Sequence, residues 1–150
     1  MLSEMSIGKR VAMYISQMKR DWNNATALHF AAYRGDYEAA VALLQYDPAA
    51  VLMTTHSEGA TPLHWAAHGG HADLCELLLD HGAVVDAPLS SSGQTPLHVA
   101  ITPRGSYRAC EVLLKRGAFA KTTDTFGRTP LHSAAAHGKT KECALLLRWG

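Results

Sequence analysis

The chain has 150 residues, and its apolar content of 47% is typical of a globular domain with a hydrophobic core. The 14 Lys and Arg residues nearly balance the 13 Asp and Glu residues, so a formal net charge of +1 gives no reason to expect nucleic acid or an anionic membrane as partner. No run approaches the ~18 apolar residues of a membrane span, and the first residues lack a secretory apolar segment, so no membrane insertion is expected.

Residues 1–20 carry apolar side chains at helical spacing, which predicts an amphipathic N-terminal helix. The apolar stripe comprises Ile7, Val11, Tyr14 or Ile15, Met18 and Trp22. Besides a structural role, such a helix is compatible with partner binding or with a mitochondrial presequence. Glu4 and the low Ser and Arg content argue against the presequence.

A tetrad of the form Thr-Pro-Leu-His follows this helix and is repeated along the chain. Its copies are Thr26-Ala27-Leu28-His29, Thr61-Pro62-Leu63-His64, Thr95-Pro96-Leu97-His98 and Thr129-Pro130-Leu131-His132, spaced 35, 34 and 34 residues apart. Threonine is a helix N-cap, and proline is favoured at the first helical position. The leucine points to the core, and a polar side chain at the third helical position reaches back to the cap. Each tetrad therefore predicts the start of a helix.

This tetrad, at a period of about 33 residues, resembles the ankyrin repeat. The resemblance implies an all-α solenoid of stacked helix-turn-helix units with β-turn fingers. It covers residues 21–150, with repeats that start near residues 21, 56, 90 and 124. Residues 1–20 are then best interpreted as a helix that caps the exposed end of the stack. The last repeat stops at Gly150 without a polar capping helix, so we expect a fragment of a longer protein.

Individual repeats depart from the family pattern at three points. In repeat one the finger has Asn24 where Gly59, Gly93 and Gly127 stand in the others, and asparagine is the next best residue for a left-handed backbone. Helices are expected over residues 26–34 and 37–45, after which Pro48 starts a short extra turn. In repeat three, a proline-containing insertion should end the first helix at about Ile101.

Three cysteines occupy one position on the second helix of repeats two to four. They are Cys75, Cys110 and Cys143. Stacked helices lie ~8–10 Å apart, beyond the ~7 Å Cα separation that a disulfide allows, so we expect three buried thiols. Free thiols favour an intracellular, reducing compartment, cytoplasmic or nuclear.

Nine histidines raise the question of a metal site. Four of them belong to the tetrads. The candidate ligand set, His64, His68 and His71, includes one tetrad histidine and is interrupted by a glycine pair that breaks the helix. No phosphate-binding loop, nucleophile elbow or Cys-x-x-Cys motif is present. We therefore expect no metal, no cofactor and no catalytic residues.

The resemblance places a binding surface on the concave face, which finger tips and the outer positions of the first helices form. The corresponding residues here are Trp22, Asn23, Tyr33, Arg34, Ser57, Glu58, His68, Ser91, Ser92, Gln94, Arg104, Thr125, Phe126, Arg128 and His137. Trp, Tyr, Phe and Arg are enriched at interface hot spots. Trp22 also fits the stripe of the N-terminal helix, which leaves open whether it binds or packs.

The resemblance implies non-catalytic protein–protein recognition by a chain that is monomeric on its own. The alternative is a targeting or regulatory module of a larger multidomain protein, such as an enzyme, channel or adaptor. A metal-dependent enzyme is the third hypothesis, and stoichiometric bound metal would support it. The sequence does not identify the partner.

Overall fold

Each tetrad begins a helix in the computed structural model, which describes residues 2–150. The Thr hydroxyl accepts a hydrogen bond from the backbone N–H of the tetrad histidine at Thr26, Thr61 and Thr129. Within residues 2–150 the α-helices are α1 (Ile7–Arg20), α2 (Ala27–Arg34), α3 (Tyr37–Tyr46), α4 (Pro62–His68), α5 (Ala72–Asp80), α6 (Pro96–Ala100), α7 (Tyr107–Lys115), α8 (Pro130–Ala136) and α9 (Thr140–Trp149).

The helices pair and stack in two layers. The first helices of the repeats pack side by side in the order α2, α4, α6, α8, and the second helices in the order α3, α5, α7, α9. No strand is present among residues 2–150. The predicted all-α stack of helix pairs is therefore confirmed. No helix in this range combines the length and apolar character that crossing a membrane requires.

The core lies between the two layers. The tetrad leucines Leu28, Leu63 and Leu97 are buried, and so are leucines of the second helices such as Leu44 and Leu78. Buried alanine pairs follow the first two tetrads, where small side chains allow the helices to approach closely. Burying one leucine side chain stabilises the fold by about 1.5–3 kcal/mol, so this regular pattern accounts for a large part of the stability.

Helix α1 is joined to the first repeat by a buried polar contact. Tyr14 is fully buried, and its hydroxyl donates to Asp36 Oδ2 at 2.9 Å. Arg10 Nε lies 2.9 Å from the same oxygen. Burial and the adjacent carboxylate raise the pKa of Tyr14 to about 12, so the phenol stays protonated as a donor. Helix α1 packs against both α2 and α3.

The N-terminal helix is shorter than the sequence predicts. It begins at Ile7, where Ser6 provides the N-cap, and residues Leu2–Glu4 form a separate 3-10 helix. The predicted start at Met1 lies outside the described residues. Trp22 follows the end of α1 and is 95% exposed, so it does not continue the apolar stripe.

The predicted irregularities occur where the sequence places them. Asn24 has φ 60°. Residues Pro48–Leu52 form a 3-10 helix, and α6 ends at Ala100 with Ile101 as its C-cap. Gly105 then packs so closely that a Cβ atom would lie 1.7 Å from the Ala100 carbonyl oxygen, which leaves no room for a side chain.

The prediction that all three cysteines are buried is wrong for Cys143. Cys75 and Cys110 are buried, whereas Cys143 is partly exposed. The difference follows from the stacking order, because α5 and α7 each have second helices on both sides, and α9 packs against α7 on one side.

Candidate partner-binding site

The tetrad histidines connect each first helix to the finger of the following repeat. In repeat one, His29 Nδ1 accepts from the Thr26 backbone N–H at 3.0 Å, so the neutral ring carries its proton on Nε2, which donates to the Ala60 carbonyl at 2.9 Å. His64 makes the same pair of contacts with Thr61 and with the Gln94 carbonyl. These bonds fix the fingers relative to the helices, so they define the walls of the concave face.

Burial keeps these rings neutral. Desolvation lowers the pKa of His29 and of His64 to about 4, because the charged imidazolium would lose its hydration, and it also lowers the pKa of His98. His98 Nε2 contacts the Arg128 carbonyl at 3.0 Å, so the pattern extends to the third tetrad. The tetrad histidines therefore act as structural hydrogen-bonding groups.

Backbone hydrogen bonds link successive fingers. The His56 N–H donates to the Asn23 carbonyl at 2.8 Å, and the Thr125 N–H donates to the Ser92 carbonyl at 2.9 Å. Side chains add to the same contacts, since Asn23 Oδ1 accepts from the Ser57 N–H and Thr125 Oγ1 donates to the Ser92 carbonyl. The fingers are thereby held as one continuous edge of the stack.

First helices and fingers together enclose a groove of about 860 Å³. Its apolar lining consists of the partly exposed Phe30, Trp65 and Val99 and the buried Leu89 and Ile101. The polar lining consists of Gln17, Tyr33, Arg34, Glu58, His64, His68, Gln94, His98, Thr102, Ser133 and His137, and Ala60 completes the wall. The mixture of a mainly apolar surface with a few polar groups is typical of binding sites.

An aromatic cluster occupies the N-terminal half of the groove. The Trp65 ring meets Phe30 and Tyr33 edge to face, with centroid distances of 5.5 and 6.2 Å. Tyr33 in turn stacks on His68 at 6.1 Å. Its hydroxyl accepts from Arg104 Nη1 at 2.7 Å. Because the cluster joins residues of repeats one, two and three, it holds its members in fixed orientations at the groove surface.

The structure brings some of the predicted surface residues together and leaves others outside the groove. Those that line it are Tyr33, Arg34, Glu58, His68, Gln94 and His137. Those that do not are Trp22, Asn23, Ser57, Ser91, Ser92, Arg104, Thr125, Phe126 and Arg128. Among the latter, Asn23 and Thr125 hold neighbouring fingers together, and Arg104 contacts the groove through Tyr33.

The last finger presents a second exposed aromatic group. Phe126 is 76% exposed, and the Arg128 guanidinium lies 4.9 Å from its ring centroid. Arg128 Nε also lies 3.0 Å from Asp124 Oδ2. Burial alone would raise the pKa of the Asp124 carboxyl, but bonds from the Phe126 N–H and from the Arg128 N–H and side chain hold it below its usual value.

Sequence analysis overlooked the residue that follows each tetrad histidine. These residues are Phe30, Trp65, Val99 and Ser133, and all four line the groove. The signal is present in the sequence, because this position varies from repeat to repeat while the tetrad around it is repeated. A position that varies next to a repeated helix start thus marks the groove surface.

The three histidines considered as a metal site have separate roles. His64 belongs to a tetrad, His68 stacks on Tyr33, and His71 Nε2 lies 2.9 Å from the Tyr33 carbonyl. Within residues 2–150 no group of three or more His, Cys, Asp or Glu side chains is arranged to hold a metal ion. The groove as a whole offers a ligand apolar contact, hydrogen-bonding groups and charge.

Comparison with known proteins agrees with the geometry. The family profile described as "Ankyrin repeats (3 copies)" matches residues 28–124, and the "Ankyrin repeat" profile matches residues 126–150. The human "Ankyrin repeat and KH domain-containing protein 1" is 40% identical over 109 residues, 72% of this chain and 4% of that protein. The "Transient receptor potential cation channel subfamily A member 1 homolog" of Caenorhabditis elegans is 36% identical over 138 residues, 91% of this chain and 11% of that protein.

A third relative is the "Nuclear factor NF-kappa-B p105 subunit" of Mus musculus, 36% identical over 138 residues. The match covers 91% of this chain and 14% of that protein. The chain thus spans between 4% and 14% of the length of these three relatives.

Proposed function

We propose that this chain, which belongs to the ankyrin repeat family, recognises a protein partner through its concave groove and performs no catalysis itself. Ankyrin repeats generally serve protein–protein interaction, and the profiles that match the chain belong to no catalytic family. We further propose that α1 covers the end of the stack, supported by its packing against α2 and α3.

The observation that carries the proposal is the aromatic cluster at the groove surface. Tyr33 is 37% exposed although it contacts Trp65, His68 and Arg104, so a partner can reach a side chain whose orientation is already fixed. A residue held in place before binding loses less conformational entropy on binding. Aromatic residues and arginines arranged in this way are typical of interface hot spots.

The test is quantitative affinity capture from an extract of the source cells, with the parent chain and two variants. Tyr33→Ala should reduce capture of specific partners, with a loss of about 1–2 kcal/mol in binding free energy. Tyr46→Ala is the matched control, because Tyr46 is 89% exposed at the end of α3 and does not line the groove. Equal capture by both variants would contradict binding through the groove.

A second variant tests the finger tips, which the sequence analysis also assigned to the binding surface. Phe126 lies outside the groove and is more exposed than Tyr33. Phe126→Ala should weaken binding only if the partner extends over the fourth finger. Retained capture with Phe126→Ala and reduced capture with Tyr33→Ala would confine the contact to the groove.

The second candidate function is that of a recognition module within a larger protein, such as an enzyme, channel or adaptor. The extents of the matches favour it, since the corresponding segments form 4–14% of three much longer relatives. Two buried free thiols, Cys75 and Cys110, support an intracellular, reducing compartment for it. Immunoblotting of source cells with an antibody against these repeats tests the idea, because a module within a larger protein gives a band far above 16.2 kDa.

A further inference from the structure

We propose that the groove takes a linear peptide segment that carries a large apolar side chain and, within one or two turns of helix or a few extended residues of it, an Asp or Glu. This inference rests on the proposed function, because it names the class of partner segment for the same groove. The apolar side chain would lie against Phe30 and Trp65, and the carboxylate would lie against Arg34 and Arg104.

The apolar part follows from the surface of the groove. Phe30, Trp65 and Val99 stand side by side on α2, α4 and α6, and all three remain partly exposed. Leu89 and Ile101 also line the groove, but both are buried and add little contact area. A large apolar side chain of a partner would remove this surface and its own from water, which favours binding. A segment with only polar side chains would leave the Phe30 and Trp65 rings without apolar contacts.

The charged part follows from two arginines beside Tyr33, of which Arg34 lines the groove and Arg104 lies just outside it. Arg34 ends α2, and no carboxylate of residues 2–150 forms an ion pair with it. Arg104 lies in the turn before α7, and its partner there is the neutral Tyr33 hydroxyl. Both guanidinium groups are exposed, so each can form a two-point bond with a carboxylate.

The two acidic residues that line a depression together with Arg34 are paired with another arginine. Asp36 and Glu38 share a shallow depression with Arg34, but both are bound by Arg10, at 2.9 and 3.7 Å. Asp36 also accepts from the Tyr14 hydroxyl. Arg34 is therefore left to an external anion.

The opposite edge of the groove, which the fingers form, carries a negative charge. Glu58 lies on a finger and lines the groove, and it has no cation within ion-pair distance among residues 2–150. A carboxylate is therefore favoured at the edge where the first helices end and disfavoured at the finger edge. This polarity places the carboxylate of a bound segment at the edge where the first helices end.

The experiment is a selection of random 16-residue peptides displayed on phage against the full 150-residue chain. Enriched peptides should contain a large apolar residue together with Asp or Glu. For a synthetic copy of one enriched peptide, Arg34→Glu and Arg104→Glu should each weaken the affinity by about three- to tenfold. Changing the peptide's acidic residue to its amide should produce a similar loss, and raising NaCl from 50 to 500 mM should weaken binding in the parent more than in Arg104→Glu.

Arg108→Glu is the matched control, because Arg108 is an exposed arginine on α7 outside the groove and the charge change is the same. It should leave the affinity within about twofold of the parent. Enriched peptides without acidic residues, or equal losses for Arg104→Glu and Arg108→Glu, would overturn the inference. In that case, a loss of peptide binding in Tyr33→Ala would still support the groove as the binding site. A library with no enriched peptide would count against both the peptide inference and the proposed function.

Discussion

Lowering the pH from 7.5 to 5 should destabilise the stack, because His29 and His64 are buried as neutral rings. An unfolded chain binds a proton on each ring at a pKa of about 6.5, whereas burial lowers the folded value of each to about 4. As the pH falls below 6.5, the unfolded chain takes up protons that the folded chain does not, so the free energy of unfolding decreases. The decrease continues to about pH 4, where the folded rings begin to protonate as well.

The magnitude follows from these two pKa values. At pH 5 each histidine removes about 2 kcal/mol of the stability present at pH 7.5, so the two together remove about 4 kcal/mol. Domains of this size are stable by about 5–15 kcal/mol, which makes the loss easy to measure. Protonation would also remove the acceptor at Nδ1 that receives the Thr26 or Thr61 backbone N–H.

The assay is urea unfolding followed by circular dichroism at pH 7.5, 6.5, 5.5 and 5.0, with NMR titration of the imidazole protons. His132→Gln is the control, because His132 caps its helix in the same way but is exposed rather than buried. This variant should retain the full acid sensitivity. An unfolding free energy that stays constant between pH 7.5 and 5, or a His29 ring that titrates above pH 6 in the folded chain, would refute the argument.

Three further outcomes test the packing. Cys143 should react with a mild alkylating reagent well before Cys75 and Cys110, whose buried thiols have pKa values raised to about 12, as mass spectrometry of the labelled chain would show. Leu97→Ala should destabilise by about 2–5 kcal/mol in urea unfolding, because the side chain is fully buried, and a loss below 1 kcal/mol would contradict its core position. Tyr14→Phe should cost about 1–2 kcal/mol by removing the hydrogen bond to Asp36, and an unchanged melt would show that this bond contributes nothing.

Most of the fold could be predicted because its signals are local. A threonine N-cap and a histidine three residues later interact within one turn of helix, so the sequence alone shows where α2, α4, α6 and α8 begin. The proline that follows the cap adds a backbone preference at the same place. Four copies at nearly constant spacing then fix the order of the stack, because each unit packs on its neighbours.

The contacts that could not be predicted join residues about 30 or more positions apart in the chain. The bond from His29 Nε2 to the Ala60 carbonyl joins neighbouring repeats, and nothing local to either residue indicates it. The same holds for the Arg104 bond to Tyr33, which spans 71 residues. The lower burial of Cys143 depends on how many helices flank α9, and this is a property of the stack that the residue's own position in the repeat does not reveal.

The groove residues occupy regular positions in each repeat, counted from the tetrad histidine. The residue after each tetrad histidine and a residue three or four positions later lie on one helical face, as Phe30 and Tyr33 do on α2 and Trp65 and His68 do on α4. In repeat three these positions hold Val99 and Thr102, and in repeat four they hold Ser133 and His137, although Thr102 and His137 follow the ends of α6 and α8. The surface therefore changes from large aromatic side chains at the N-terminal half to smaller and more polar ones at the C-terminal half. Because buried aromatic area contributes most to binding at such surfaces, the bulkiest apolar residue of a partner should sit over repeats one and two, with the rest of its segment crossing repeats three and four.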